Sequence, residues 1–222
     1  MLSAKEGETD ASSKALEELA LANWKPVYSY LRGKGHTHEE AQDKTQGFFA
    51  HLLNRDFLSK IQPEGGRFRN FLLVFLRHHL SDQRNLAVNV KRRAEIELQP
   101  WHELEVIDGS GFSHQAASPE EAFDHSWAEA LVAQAMKVLQ QRWEKRASLF
   151  AELRFTIEGP GNVAKYADIA SRCGMTEGAV SKAAHDLRRQ FAEQIRKEVR
   201  ETVAEDEDVE EELRYLVRLL RT

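Results

Sequence analysis

The chain has 222 residues, 41% hydrophobic and 30% charged, which suits one large or two small soluble globular domains and excludes a disordered or fibrous protein. Its formal net charge is −5, and its single cysteine, Cys173, excludes an internal disulfide framework and a cysteine-only zinc site. No apolar run approaches the roughly 20 residues needed to cross a bilayer, and the start MLSAKEGETDASSK has no hydrophobic leader core, so the expected setting is cytoplasmic with no membrane partner.

Helical signals dominate and convincing strand alternation is absent, so an all-α fold is expected. After a flexible N-terminus over 1–13, Leu16, Leu19, Ala20, Trp24 and Val27 fall at helical spacing, and Gly33 and Gly35 end that helix. Pro26 predicts a kink or a split within it. The next stretch, THEEAQDKTQGFFAHLL, opens with Thr37 and has Glu40 three residues on, a capping box. Its apolar face is Ala41, Phe48, Phe49 and Leu52, which leaves Glu39, Asp43, Lys44 and Gln46 toward solvent or a partner, and Thr45 is expected to be exposed and open to modification.

Residues 65–93, GGRFRNFLLVFLRHHLSDQRNLAVNVKRR, combine an apolar block with seven Lys or Arg (Arg67, Arg69, Arg77, Arg84, Lys91, Arg92, Arg93) against one acid, Asp82. Two helices, roughly 67–80 and 82–93, are expected there. Six apolar residues in a row cannot all face a ligand, so Phe68, Phe71, Leu72, Phe75 and Leu76 are assigned to the core. The segment from 94 to 118 has Gly, Ser and Pro and no helical stripe, and reads as a linker. Charge is segregated: residues 94–129 contain nine acids and no Lys or Arg, and EDEDVEEE over 205–212 is acidic at seven of eight positions.

A second helical unit spans 119–204. Ser118 is its N-cap, Pro119 its first helical residue and Glu121 the third member of a second capping box; Phe123, Trp127, Leu131, Ala135 and Val138 form the buried stripe. The most specific local signal is VAKYADIASRCGMTEGAVSKAAHDLRRQF over 163–191. A helix-turn-helix needs a small residue where its helices cross, a residue tolerant of φ > 0 in the turn, and an apolar anchor in the second helix. Ala170, Gly174 and Val180 supply them, with Ile169, Met175 and Ala183 completing the buried side. Thr176 caps the second helix, whose outward positions are Glu177, Gly178, Ser181, Lys182, His185, Arg188 and Arg189. The plainer reading is a pair of bundle helices with a solvated polar face. Asp186 among these groups weakens attraction to phosphate. Residues 205–222 form an acidic tail ending in a small amphipathic helix.

The acidic-glutamine helix, GRFRNFLLVFLRHHLSDQR, the linker and a helix-turn-helix ending GMTEGAVSKAAHDLRRQF together resemble bacterial RNA polymerase sigma factors of the extracytoplasmic-function group. The resemblance covers roughly residues 15–200. It implies that 14–93 is the second conserved region and 119–204 the fourth, joined by the acidic linker. By that resemblance Asp43, Gln46, Phe49 and Leu52 would dock on core RNA polymerase at its clamp coiled coil, with the flap as a further contact. Arg77, His78, His79, Asp82, Arg84, Asn85, Lys91, Arg92 and Arg93 would meet the melted minus-ten element of promoter DNA, with the loop at Asp82–Asn85 contacting bases. His78 or His79 stands where the family commonly has Asn. Thr176 with the outward positions of the second helix would read the minus-thirty-five element as duplex. The resemblance implies no catalytic residue, metal or cofactor. It leaves open whether an anti-sigma protein, a kinase or the acidic tail exerts control.

Two other classes fit parts of the same sequence. The His78–His79 pair with Asp82 suggests metal ligands of an enzyme, but the spacing matches no familiar metal signature. A stand-alone transcriptional regulator could use the same helix-turn-helix, and would bind duplex DNA tightly without a partner.

Overall fold

The computed structural model describes residues 20–52, 66–89, 118–158 and 164–221. These are helical, with no strand among them and one isolated β-bridge, between Arg67 and Val203. The elements in chain order are α1 over 20–33, α2 (His38–Leu52), α3 (Phe68–Asn89), α4 (Pro119–Arg142), a 3-10 turn (Glu144–Arg146), α5 (Ala147–Leu153), α6 (Phe155–Glu158), α7 (Ala164–Cys173), α8 (Glu177–Arg200) and α9 (Asp208–Leu219).

The expected caps are in place. The Thr37 backbone N–H donates to Glu40 Oε2 at 2.9 Å while the Glu40 N–H donates to Thr37 Oγ1 at 3.2 Å. The Glu121 N–H donates to Ser118 Oγ at 3.1 Å, with Pro119 opening the helix. Each bond satisfies a donor that a helix start leaves without an intrahelical acceptor.

Two expectations are corrected. α1 runs unbroken through Pro26, so the proline neither ends nor divides it. The stretch Phe68–Asn89 is one helix of 22 residues rather than two, and Asp82 lies on a helix instead of in a loop. The physical reason is local: LSDQRN contains no Gly or Pro, and nothing there supplies a stop signal strong enough to interrupt the hydrogen-bond ladder.

Apolar side chains gather in two clusters. The first joins α1, α2 and α3 (Trp24, Leu31, Phe48, Phe49, Leu72, Leu76) with the start of α4 (Phe123, Trp127), the end of α8 (Val199) and α9 (Val209, Leu216). The second joins the end of α4 (Leu139) and Trp143 with α5, α7 and the start of α8 (Phe150, Leu153, Ile169, Val180, Leu187). α4 and α8, each 24 residues long, pack antiparallel and pass through both clusters. Residues of the expected C-terminal unit therefore complete the core built by the N-terminal helices.

The junction is closed by backbone and by charge. Phe68 N–H donates to Thr202 O at 2.8 Å and Ala204 N–H to Gly66 O at 3.1 Å, tying the end of α8 to the start of α3. Beside this ladder the Arg69 guanidinium, with its side chain only 8% exposed, donates to Glu212 at 2.6 Å and 3.3 Å and to Asp124 at 3.0 Å. It also lies 4.4 Å from the centre of the Tyr215 ring, whose hydroxyl donates to Asp124. Arg67 adds contacts to Glu211 and Glu212 at 3.0 Å and 3.1 Å.

At the opposite end of α1 the chain approaches α4 so closely that a Cβ on Gly33 would lie 2.9 Å from Pro119 Cα. Backbone cannot rotate away as a side chain can, so the two helices must separate to admit even a methyl group. Gly33→Ala is expected to lower unfolding free energy by about 1–3 kcal/mol, the usual cost of overpacking, despite the better helix propensity of Ala. Denaturant titration followed by far-UV circular dichroism measures this; unchanged stability would show that α4 yields freely.

Candidate nucleic-acid interface

The second cluster presents a helix-turn-helix. Gly174 has φ +61°, the left-handed conformation anticipated for the turn. The Met175 N–H donates to Ala170 O at 2.9 Å, the six-to-one bond that closes a helix end around such a glycine. Thr176 then caps α8, its Oγ1 accepting from the Ala179 N–H at 3.3 Å. Ile169, Ala170, Val180 and Ala183 are buried at the crossing.

With that side buried, Thr176, Glu177, Gly178, Ser181, Lys182, His185 and Arg189 are exposed together on one face of α8, and Arg188 is half-buried. Arg188 donates to Tyr166 Oη at 3.3 Å, which braces its guanidinium against α7. Arg189 is flanked by Asp186 at 3.9 Å and Glu193 at 3.5 Å, exposed contacts that dilute its charge. Lys182 is exposed on the same face. The first turns of the helix thus offer hydroxyl, imidazole and ammonium groups at the positions from which such a helix reaches base edges.

The α2 residues divide. Asp43 is exposed and Gln46 half-buried, three apart on one face. Phe49 and Leu52 are core: Phe49 stacks on Trp24 with ring centres 5.9 Å apart, and Leu52 is 3% exposed. They hold the helix in place and leave the polar pair to face outward. Thr45 is fully buried, and its hydroxyl donates to Ala41 O at 2.6 Å. The expectation that it is an exposed modification site is therefore overturned.

The α3 residues divide as well. Leu72 and Leu76 are buried, Phe68 and Phe75 are partly buried against the first cluster, and Val74 is half exposed. Arg77 contacts Glu120 at 2.5 Å, so α4 holds its guanidinium; that hydrogen bond is also what lowers the Glu120 carboxyl. His78 and Asp82 are exposed. His79 is only 9% exposed, packed edge-on to Phe48 and 5.1 Å from the His51 ring. It lines the core and is not placed to meet bases, which corrects its assignment to the minus-ten set. The side chains of Arg84 and Asn85, and all of Lys91, Arg92 and Arg93, lie outside the described residues, as does the expected linker up to residue 117. Among the described residues no three His, Cys, Asp or Glu side chains are gathered as metal ligands. No described helix is long and apolar enough to cross a membrane.

The sequence pattern held the signals for Thr45, His79 and the junction. Thr45 is four residues from Ala41 and seven from Leu52, and His79 is seven from Leu72 and three from Leu76, so both sit on apolar stripes. Glu212 likewise lies three residues after Val209 and four before Leu216, on the inner face of α9. No family model, curated protein or solved structure matches the chain.

Burial, then the neighbouring His51 and Lys44, push the His79 imidazole down to about 4, with Asp82 opposing. The unfolded chain binds a proton near 6.5 that the folded chain refuses, so stability falls as pH drops from about 6.5 toward 4. Replacing His79 with Gln should flatten that part of the stability profile, and the imidazole should titrate by NMR near 4. A midpoint near 6.5 would mean that the ring is solvated.

Proposed function

We propose that the chain is a transcription initiation factor that binds core RNA polymerase and directs it to specific promoters. The observation that carries this reading is the helix-turn-helix, with its glycine-closed turn, capped second helix and open polar face on α8. Exposed Asp43 and half-buried Gln46 on α2 would make the polar contact with the polymerase clamp, with the flap as a second contact. His78, Asp82 and the basic residues after them would meet the melted minus-ten element, and α8 would read the minus-thirty-five element as duplex. Opening a duplex calls for single-stranded bases to be captured while cations hold the backbone, and the charge segregation around α3 suits that task. The chain performs no chemistry in this reading; the polymerase does.

The net charge of −5 separates this reading from a stand-alone regulator. Phosphate attraction dominates duplex affinity, and Asp186 and Glu193 occupy one of the few cations on the α8 face. A partner that brings the chain to DNA makes up that deficit.

Run-off transcription with core polymerase on a promoter library tests the proposal. Initiation from a subset of promoters is expected. Replacing Asp43 and Gln46 together with Ala should weaken polymerase binding by at least about 100-fold, as loss of two interface anchors would, with circular dichroism unchanged. Tight duplex binding by the chain alone, with no effect on initiation, would instead identify the stand-alone regulator.

A further inference from the structure

A cavity of about 270 Å³ lies where α1, the start of α3, α4 and the end of α8 meet. Its walls are mainly apolar. Phe68 and Trp127 stand with ring centres 6.0 Å apart and planes tilted by 47°, and Ala130 and Leu131 continue the α4 wall. Gln134 and Glu201 at its edge are exposed, so the mouth reaches solvent, whereas Trp127 is 3% exposed. The volume falls just below the roughly 300–1,000 Å³ of drug-sized sites, so it suits a molecule of about ten non-hydrogen atoms.

Two features define the chemistry of an occupant. The Trp127 Nε1–H is buried and has no acceptor among the described residues. A buried donor left unpaired carries the full cost of its lost hydration, which an acceptor brought in by a ligand would offset. The charged residues lining the cavity are Glu198 and Glu201, three apart on α8, with no Lys or Arg beside them in the lining. Glu198 accepts from Gln194 Nε2 at 2.7 Å, which positions its carboxylate. Lys197 reaches Glu201 at 3.8 Å, an exposed contact that offsets little of its charge. The mouth therefore favours a cation.

We infer that this cavity is a binding site for a small amphipathic amine. Its flat apolar body lies against Phe68 and the α4 wall, an oxygen accepts from the Trp127 indole, and an ammonium group meets Glu198 and Glu201. The site is separate from the outward face of the helix-turn-helix, since Glu198 lies about 20 Å along α8 from His185. It does not rest on the transcription reading. A ligand held by four helices that come together only in the folded chain also stabilises that chain.

Proton–nitrogen NMR of the full chain, titrated with para-methoxybenzylamine, reads the indole N–H signals of its four tryptophans. The Trp127 signal is the one lost in Trp127→Phe. It should move downfield and saturate with a Kd in about the millimolar range, as a probe of about ten non-hydrogen atoms allows. para-Ethylbenzylamine, of similar shape but without an acceptor, should bind at least about fivefold more weakly. para-Methoxybenzoate, which reverses the charge, should bind at least about tenfold more weakly, and Glu201→Gln should weaken the amine by about threefold. Ala130→Phe, which fills the cavity, should abolish the response; if that variant loses helicity, Glu201→Gln and the ethyl analogue decide. No saturable shift, equal binding of the three probes, or a response that survives in folded Ala130→Phe would overturn the site. A Trp127 signal that moves with protein concentration alone would give the cavity to a second copy of the chain and overturn it equally.

Discussion

The structure depends on where Arg69 can find its counter-charges. A guanidinium that is removed from water costs several kcal/mol unless it is paired and hydrogen-bonded, and the residues around it on α3 are apolar. Its partners come from Asp124 and from Glu212, which is 143 residues away in sequence. Burial alone would push the guanidinium down; the hydrogen bond to Glu212 and the charges of Asp124 and Glu212 outweigh it and hold the group ionised. On the other side, burial and the bond to Asp124 push the Tyr215 hydroxyl up to about 12, so it remains a donor at any physiological pH. Satisfying this single cation brings α3, α4 and α9 together, and the short backbone ladder at Gly66–Phe68 follows.

That junction changes the meaning of the long helices. α4 and α8 act as two antiparallel beams, each with one end in each apolar cluster, so the helix-turn-helix is braced by the N-terminal helices instead of hanging from a flexible tether. Trp143 Nε1–H donates to Gln190 at 3.0 Å and Arg142 to Gln194 at 3.4 Å, which fixes the register of the beams between the clusters. The segregated charge of the chain is resolved in the same way. Acids of the tail and of α4 pair with Arg67, Arg69 and Arg77.

Local signals were legible wherever the stabilising partner lies within a few residues. The capping boxes at Thr37 and Ser118, the turn at Gly174 and the cap at Thr176 are all of this kind, and each has the hydrogen bond that its sequence promised. The division of α3 into two helices failed because a polar cluster is not a stop signal without Gly or Pro. Thr45 and His79 are buried despite their polarity. Their positions on the stripes of α2 and α3 carry more weight than their polarity, because the Ala41 carbonyl satisfies the threonine and aromatic rings enclose a neutral imidazole.

The sequence by itself determined an all-helical chain, its caps, the helix-turn-helix and the residues facing outward from it. Tertiary structure alone decided that the start of α4, the end of α8 and α9 would share a core with α1–α3. Periodicity says which face of a helix seeks burial, but it does not say against what. The choice among apolar faces is made by the few buried charges, whose partners must be specific, and here the choice was made by Arg69.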